Sequence, residues 1–143
     1  AKEIIDKQGE TKQEIKDEQK QYEGNPEIKS RIKSVQQSLS RNRMIQEVPD
    51  ATVVVTNPTH IAVALKYVQG SKDSAPKIVA MGQRKIAVRI REVAREAGVP
   101  IIQNKPLARN LFKSLKVGME IPAIFYQAVA EILAKVFTMK KKR

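Results

Sequence analysis

Thr52-Val53-Val54-Val55-Thr56-Asn57-Pro58-Thr59-His60-Ile61-Ala62-Val63-Ala64-Leu65 is the stretch on which the fold turns. Two apolar, β-branched runs flank the tetrapeptide Asn57-Pro58-Thr59-His60. Runs of this kind, bounded by Asn and Pro, read as strands, so the tetrapeptide is a tight connection in the middle of a sheet. Val53, Val54 and Val55 are apolar without alternation. That predicts burial on both faces and a central position.

The connection has unusual chemistry. An Asn side-chain amide can attack its own main-chain carbonyl, close a succinimide and expel the amine of the next residue. Ordinarily the next residue's backbone nitrogen attacks the Asn side chain first, which gives deamidation without chain cleavage. Pro58 has no N–H, so that route is closed. A turn that twists the Asn57–Pro58 bond out of plane would also weaken its resonance protection. In this reading Asn57 is nucleophile and cleavage point, and Pro58 is the leaving amine. Thr59 hydrogen-bonds back across the turn. His60 passes a proton from the Asn amide or to the departing Pro58, histidine being the side chain suited to proton transfer near neutral pH. The plainer reading is that Asn-Pro starts a turn and His60 fixes its shape. Asn25-Pro26 is a second Asn-Pro pair and reads simply as a helix start, with Asn as N-cap and Glu27 in the first turn.

The chain has 143 residues, enough for one domain with a modest core. It has no cysteine and one histidine, which leaves no disulfide, thiolate site or metal-ligand cluster; no cofactor is expected. It begins with Ala, which suits a fragment, and shows no signal-peptide pattern. The longest apolar stretch, Ile121 to Met139, is interrupted by Gln127, Glu131 and Lys135, one polar stripe on a docked helix; Glu131 and Lys135 are spaced as a favourable pair. The net charge of +12 is uneven. Residues 1–47 carry ten Lys and Arg against nine Asp and Glu, and residues 48–143 carry seventeen against six. The excess therefore belongs to the folded part, where it favours an acidic partner, nucleic acid or an anionic membrane surface.

Residues 1–23, rich in Lys, Glu and Gln, read as a solvated helix or a disordered linker. A helix follows from Pro26 to about Arg43, with a thin apolar seam at Ile28, Ile32, Val35 and Leu39 that packs on the domain or on another chain. Pro49-Asp50 marks the boundary between a charged helical linker, 1–47, and an α/β domain, 48–143. The strands run from about Ala51 to Thr56 and from Ile61 to about Val68. After the polar loop Gln69–Ser74 comes a third strand, Lys77–Ala80, closed by Gly82. Lys85–Ala97 is an amphipathic helix with Ile86, Ile90, Val93, Ala94 and Ala97 inward and Arg84, Arg89, Arg91 and Arg95 outward. Gly98 ends it. Pro100–Gln103 is a short strand, and the β-α-β order suggests a parallel pair. Pro106 opens a short helix ending near Gly118, and the last helix runs from Ile121-Pro122 to about Met139. Lys140–Arg143 is a basic tail at its C-terminus. The expected fold is a small mixed sheet of about four strands flanked by helices.

Val54–Tyr67 resembles the self-cleaving segment of the FlhB/YscU/SpaS family, the switch proteins of type III export systems. The resemblance continues in order through Ala75–Ala80, Ala87–Glu92, Pro106-Leu107-Ala108-Arg109, Ile121-Pro122 and Tyr126–Glu131. Ahead of the domain, Asp17-Glu18 and Gly24–Lys29 resemble the family's linker. The wording of Ala62–Tyr67 and Ala75–Ala80 is closer to the flagellar branch than to the injectisome branch. The family often has Trp near the last helix end, where this chain has Lys135-Val136-Phe137.

The resemblance implies a cytoplasmic domain behind a membrane-spanning part, at the cytoplasmic face of the bacterial inner membrane. It implies single-turnover self-cleavage between Asn57 and Pro58, acting on no external substrate. That cleavage would switch export from rod and hook subunits to filament subunits. The implied partners are the export gate membrane protein, the hook-length ruler protein, and export substrates with their chaperones. Pro106, Leu107, Ala108, Arg109 and the Arg84–Arg95 face are the surfaces suggested for contact. Two rival classes are weaker. A nucleic-acid module has the charge, but the chain lacks a zinc-finger or RNP motif and a clustered aromatic platform. A hydrolase built on Thr59 or His60 lacks a Ser-His-Asp or Cys-His set.

Overall fold

The structure, a computed structural model, describes residues 24–58, 60–68 and 75–141. The expectations for residues 1–23, the Gln69–Ser74 loop, Thr59 and the Lys140–Arg143 side chains lie outside the described residues. The chain divides into two compact units, residues 1–41 and 42–143.

Helix α1 is Pro26–Glu47. The Asn25 side chain accepts a hydrogen bond from the Glu27 N–H at 3.0 Å, so this Asn-Pro pair is the helix start that the sequence predicts. The seam residues Ile32, Val35 and Leu39 are 43%, 53% and 52% exposed, and no residue of the helix is buried. Near its end, Met44 and Ile45 are partly buried against the core of the second unit.

The second unit is built on a four-stranded mixed sheet with strands β1 (Val53–Asn57), β2 (Ile61–Lys66), β3 (Lys77–Gln83) and β4 (Ile101–Gln103) in the order β3-β2-β1-β4. β1 and β2 form an antiparallel hairpin in which Asn57 faces Ile61 and Val53 faces Leu65. Thr52 fastens its open end: its hydroxyl accepts from the Tyr67 N–H at 2.9 Å, and its N–H donates to the Leu65 carbonyl at 2.8 Å. All five residues of β1 are buried, as the unbroken apolar run predicts.

The sheet separates two cores, and the two-residue period of a strand decides which side chain enters which. Val53, Val55, Val63, Leu65 and Ile78 pack with α3 (Lys105–Ser114) and α4 (Tyr126–Lys141). Val54, Ala62, Ala64 and Ala80 pack on the other face with α2 (Lys85–Ala97). The small alanines let α2 sit close to the sheet. Gly98 ends α2 at φ +76, the left-handed conformation a glycine adopts without penalty. The outer side of β3 is covered at its start by residues 118–121, through Ile78 N–H to the Met119 carbonyl at 3.0 Å and Ile121 N–H to the Pro76 carbonyl at 2.7 Å. That part of the edge is no longer open to pairing with another chain.

Five expectations are corrected. The β-α-β unit does not pair its own two strands: β4 pairs in parallel with β1, two places from β3. The hairpin fills the place next to β3, so α2 carries the chain across both hairpin strands. Gly82 lies inside β3 instead of closing it, because Ile86 packs on its backbone where a Cβ would stand. On α2, Ala87 is buried and Ala97 exposed, since the helix turns its smallest face to the sheet. Helix α3 stops at Ser114, and α4 starts at Tyr126 after a 3-10 turn at Ala123–Phe125. The ion pair found among the described residues is Arg89–Glu92 at 3.6 Å, not Glu131–Lys135.

Candidate functional site

Asn57 is the last residue of β1 and is only 8% exposed; Thr56 before it is also buried. The buried sequence Val-Val-Val-Thr carries it there, since the strand cannot slip without exposing valines. From the other side, the Asn104 N–H donates to the Thr56 carbonyl at 2.9 Å and so anchors the residue before the turn. The Asn104 side chain simultaneously caps α3, accepting from the Leu107 N–H at 3.2 Å. One asparagine therefore ties the start of α3 to the end of β1.

The turn itself is closed by the His60 N–H, which donates to the Asn57 carbonyl at 3.0 Å. This is the carbonyl of the Asn57–Pro58 bond. A donor on that oxygen draws electrons from the carbonyl carbon and stabilises negative charge on the oxygen during attack. Pro58 is half-buried and the His60 side chain is exposed to solvent. His60 is held at both ends of its backbone, for its carbonyl accepts the Arg84 N–H at 3.1 Å.

The structure brings Asn57, Pro58 and His60 together in one turn. It distributes the other residues named from sequence differently. Arg84, Arg89 and Arg95 are exposed, while Arg91 is half-buried with its Nε free of any hydrogen bond. Pro106, Leu107, Ala108 and Arg109 form the first turns of α3, the helix that Pro106 was expected to open. Leu107 and Ala108 are buried in the core against β1 and β2, so only Pro106 and Arg109 are left as surface. A groove of about 450 Å³ lined by Ile102, Ala134, Lys135, Thr138 and Met139 lies between β4 and α4 and includes no residue of the turn. Among the described residues no group of His, Asp and Glu is placed to hold a metal ion, and no helix is long and apolar enough to cross a membrane.

Sequence reasoning missed Asn104 and Gly82, and saw in Arg84 only a surface cation. Asn104 precedes Lys-Pro and a helical pattern, which is an N-cap signal that was there to be read. Nothing in Gln83-Arg84-Lys85 announces the backbone contact to His60.

The site belongs to a small three-layer domain whose central hairpin turns on a buried Asn57 and a half-buried Pro58, with a donor on the carbonyl between them; its class is set by likeness to known proteins. The family described as FlhB HrpN YscU SpaS matches residues 2–136, and this chain belongs to that family. It is 52% identical over 132 residues to the flagellar biosynthetic protein FlhB of Aquifex aeolicus, covering 92% of this chain and 37% of that one. To FlhB of Escherichia coli it is 47% identical over 133 residues, covering 93% and 35%. The chain thus spans about a third of the length of the curated relatives it matches. Among solved structures, the cytoplasmic domain of FlhB from Shewanella putrefaciens superposes with a TM-score of 0.66 at 42% identity, over 71% of this chain and 78% of that chain. A mutated EscU C-terminal domain superposes with a TM-score of 0.61 at 31% identity, over 65% and 92%.

Proposed function

We propose that this chain is a self-cleaving switch of the flagellar type III export apparatus, cut between Asn57 and Pro58. The observation that supports this most is the His60 N–H on the Asn57 carbonyl at 3.0 Å, at a residue that is itself buried. The Asn57 Nδ2 attacks its own carbonyl carbon, with the developing oxyanion held by the His60 N–H. The C–N bond to Pro58 breaks, Pro58 takes up a proton to leave as a secondary amine, and the Nδ2 gives up one. The His60 imidazole, exposed to solvent, passes that proton to and from water in this reading. One water then opens the succinimide and leaves a carboxylate on residue 57. Each chain reacts once, so this is self-processing and not turnover of a substrate.

The pieces 1–57 and 58–143 stay associated, because β1 remains laddered between β2 and β4. What cleavage changes is the turn: two chain ends replace a closed loop, and each is free to carry charge. That local change is the signal by which the export gate passes from rod and hook subunits to filament subunits. The partners are the export gate membrane protein, the ruler protein and export substrates with their chaperones. Arg84, Arg89, Arg95 and Arg109 are the exposed residues through which they are met. The whole protein works at the cytoplasmic face of the inner membrane.

The test is the denatured mass of the purified chain. Two pieces ending at Asn57 and starting at Pro58, their masses summing to that of the intact chain plus one water, are expected. Asn57→Ala should abolish the cut and His60→Ala should slow it. A single intact chain after long incubation at neutral pH, or cleavage that survives Asn57→Ala, overturns the reading.

A further inference from the structure

Arg84 stands at φ +56 and ψ −122, and it is the one non-glycine residue with positive φ among the described residues. These are close to the angles of the first central residue of a type II′ turn, a place ordinarily filled by glycine. The surroundings over-determine it. Ile86 is seated on the backbone of Gly82, so that a Cβ at Gly82 would lie 2.1 Å from the Ile86 Cγ2. The chain must therefore leave β3 and start α2 within three residues, and Arg84 is the corner. Both of its backbone groups are committed there: its carbonyl accepts the Val88 N–H at 3.0 Å, and its N–H donates to the His60 carbonyl at 3.1 Å.

We propose that Arg84 is a positioning residue for the Asn57–Pro58 bond: its backbone N–H, presented by this strained corner, fixes His60 so that the His60 N–H stays on the Asn57 carbonyl. The inference rests on the cleavage reading above. The geometry is a relay of two hydrogen bonds. Arg84 and the pairing of Ile61 with both Asn57 and Gln83 hold the peptide plane after His60. With that plane held, the His60 N–H moves only through the two backbone rotations at the His60 Cα, and the bond to the Asn57 oxygen restrains both. A corner that relaxed to negative φ would draw its N–H away from His60 and leave the turn held from one side. A residue in a sparsely populated conformation persists only where neighbouring packing enforces it, and here that packing ends on the reacting carbonyl.

The experiment uses the full chain, with Gly82→Ala, which drives a Cβ into Ile86 and moves the corner, and Arg84→Pro, which removes the donor. Val136→Ala, a buried change on α4 away from the turn, is the stability control. Freshly made chains are followed by denatured mass. The first two variants should cleave at least about tenfold more slowly, the scale of loss that misplacement of a reacting group brings. The control should stay within about twofold, since stability changes act on folding and not on a distant hydrogen bond.

A second measurement is made in the uncleavable Asn57→Ala chain, by the amide-proton shift of His60 and the carbonyl carbon shift of residue 57. Gly82→Ala and Arg84→Pro should move both towards values for a weaker hydrogen bond, and Val136→Ala should move neither. Slower cleavage with both shifts unmoved overturns the proposal and leaves Arg84 a role in stability alone. Equal shifts in the control overturn it as well. A parent chain that never cleaves overturns the switch reading instead, and the shifts then still decide whether Arg84 governs the carbonyl. Should Arg84→Pro fail to fold, Gly82→Ala carries the test.

Discussion

In the proposed cleavage Asn57 depends on the residue after it as much as on its own amide. Pro58 removes the one backbone N–H that would divert the chemistry into deamidation. Pro58→Ala restores that N–H. The expected outcome is less cleavage and a new intact population heavier by about 1 Da, the mass of an amide converted to a carboxylate, visible by mass spectrometry. At Arg84 the expectation concerns stability. An L residue at positive φ costs of order 1–3 kcal/mol, and glycine bears none of it while gaining some unfolded-state entropy. Arg84→Gly should therefore raise Tm by about 4–8 °C, the shift that roughly 1 kcal/mol brings in a domain of about 100 residues, read by thermal scan. Much of this scale was legible from sequence. The Asn-Pro chemistry follows from side-chain types, and Asn25-Pro26 was distinguishable from Asn57-Pro58 by its surroundings alone. The Arg84 corner was not legible, because a positive φ imposed by a neighbour's packing leaves no glycine behind to signal it.

Among the elements, β1 and α3 decide how the turn is held. β1 is buried along its whole length, so Val55→Ala should cost about 2 kcal/mol from lost burial and the space left behind. The urea midpoint of the uncleaved Asn57→Ala chain measures this. Asn104 serves α3 through its side chain and β1 through its N–H. Asn104→Ala removes only the cap and should cost about 1 kcal/mol, while the backbone bond to Thr56 stays. Hairpin and α2 were readable because each repeats its period over several residues: β-branched runs for the strands, and Ile90 and Ala94 one turn apart on the helix. The partner of β4 was not readable. A three-residue strand carries no information about which neighbour it joins, and adjacency in sequence pointed to β3 when the central hairpin strand was the answer. Pro106 was readable as a helix start because proline fits the first turn, but that Leu107 and Ala108 are core and leave only Pro106 and Arg109 as surface was not.

For the molecule as a whole the charge is the organising quantity. Residues 48–143 carry seventeen basic against six acidic residues, and Arg89 and Arg95 stand exposed on α2. Binding of an acidic partner through such a surface weakens as salt rises. Reversing both charges, Arg89→Glu with Arg95→Glu, should weaken capture of the proposed partner, the export gate protein, while the rate of the proposed cleavage is unchanged; a pull-down at two salt concentrations beside a cleavage time course checks this. Sequence gave the sum of charge and its place in the folded part. It did not give the surface, because Arg91 shares the helix with Arg89 and Arg95 and is half-buried.

The strand order also says what the proposed cut would do to the architecture. Of the four strands, the first piece supplies only β1, and the second piece supplies the strands on both sides of it, β2 and β4. Piece 58–143 by itself is a sheet with its middle stave missing: two facing rows of unmet N–H and C=O groups around a vacant slot lined on both faces by apolar side chains. It is a receptor whose natural plug is the chain it was severed from. A synthetic peptide of residues 48–57, added during refolding of 58–143, should restore the fold where an alternating polar sequence of the same length does not.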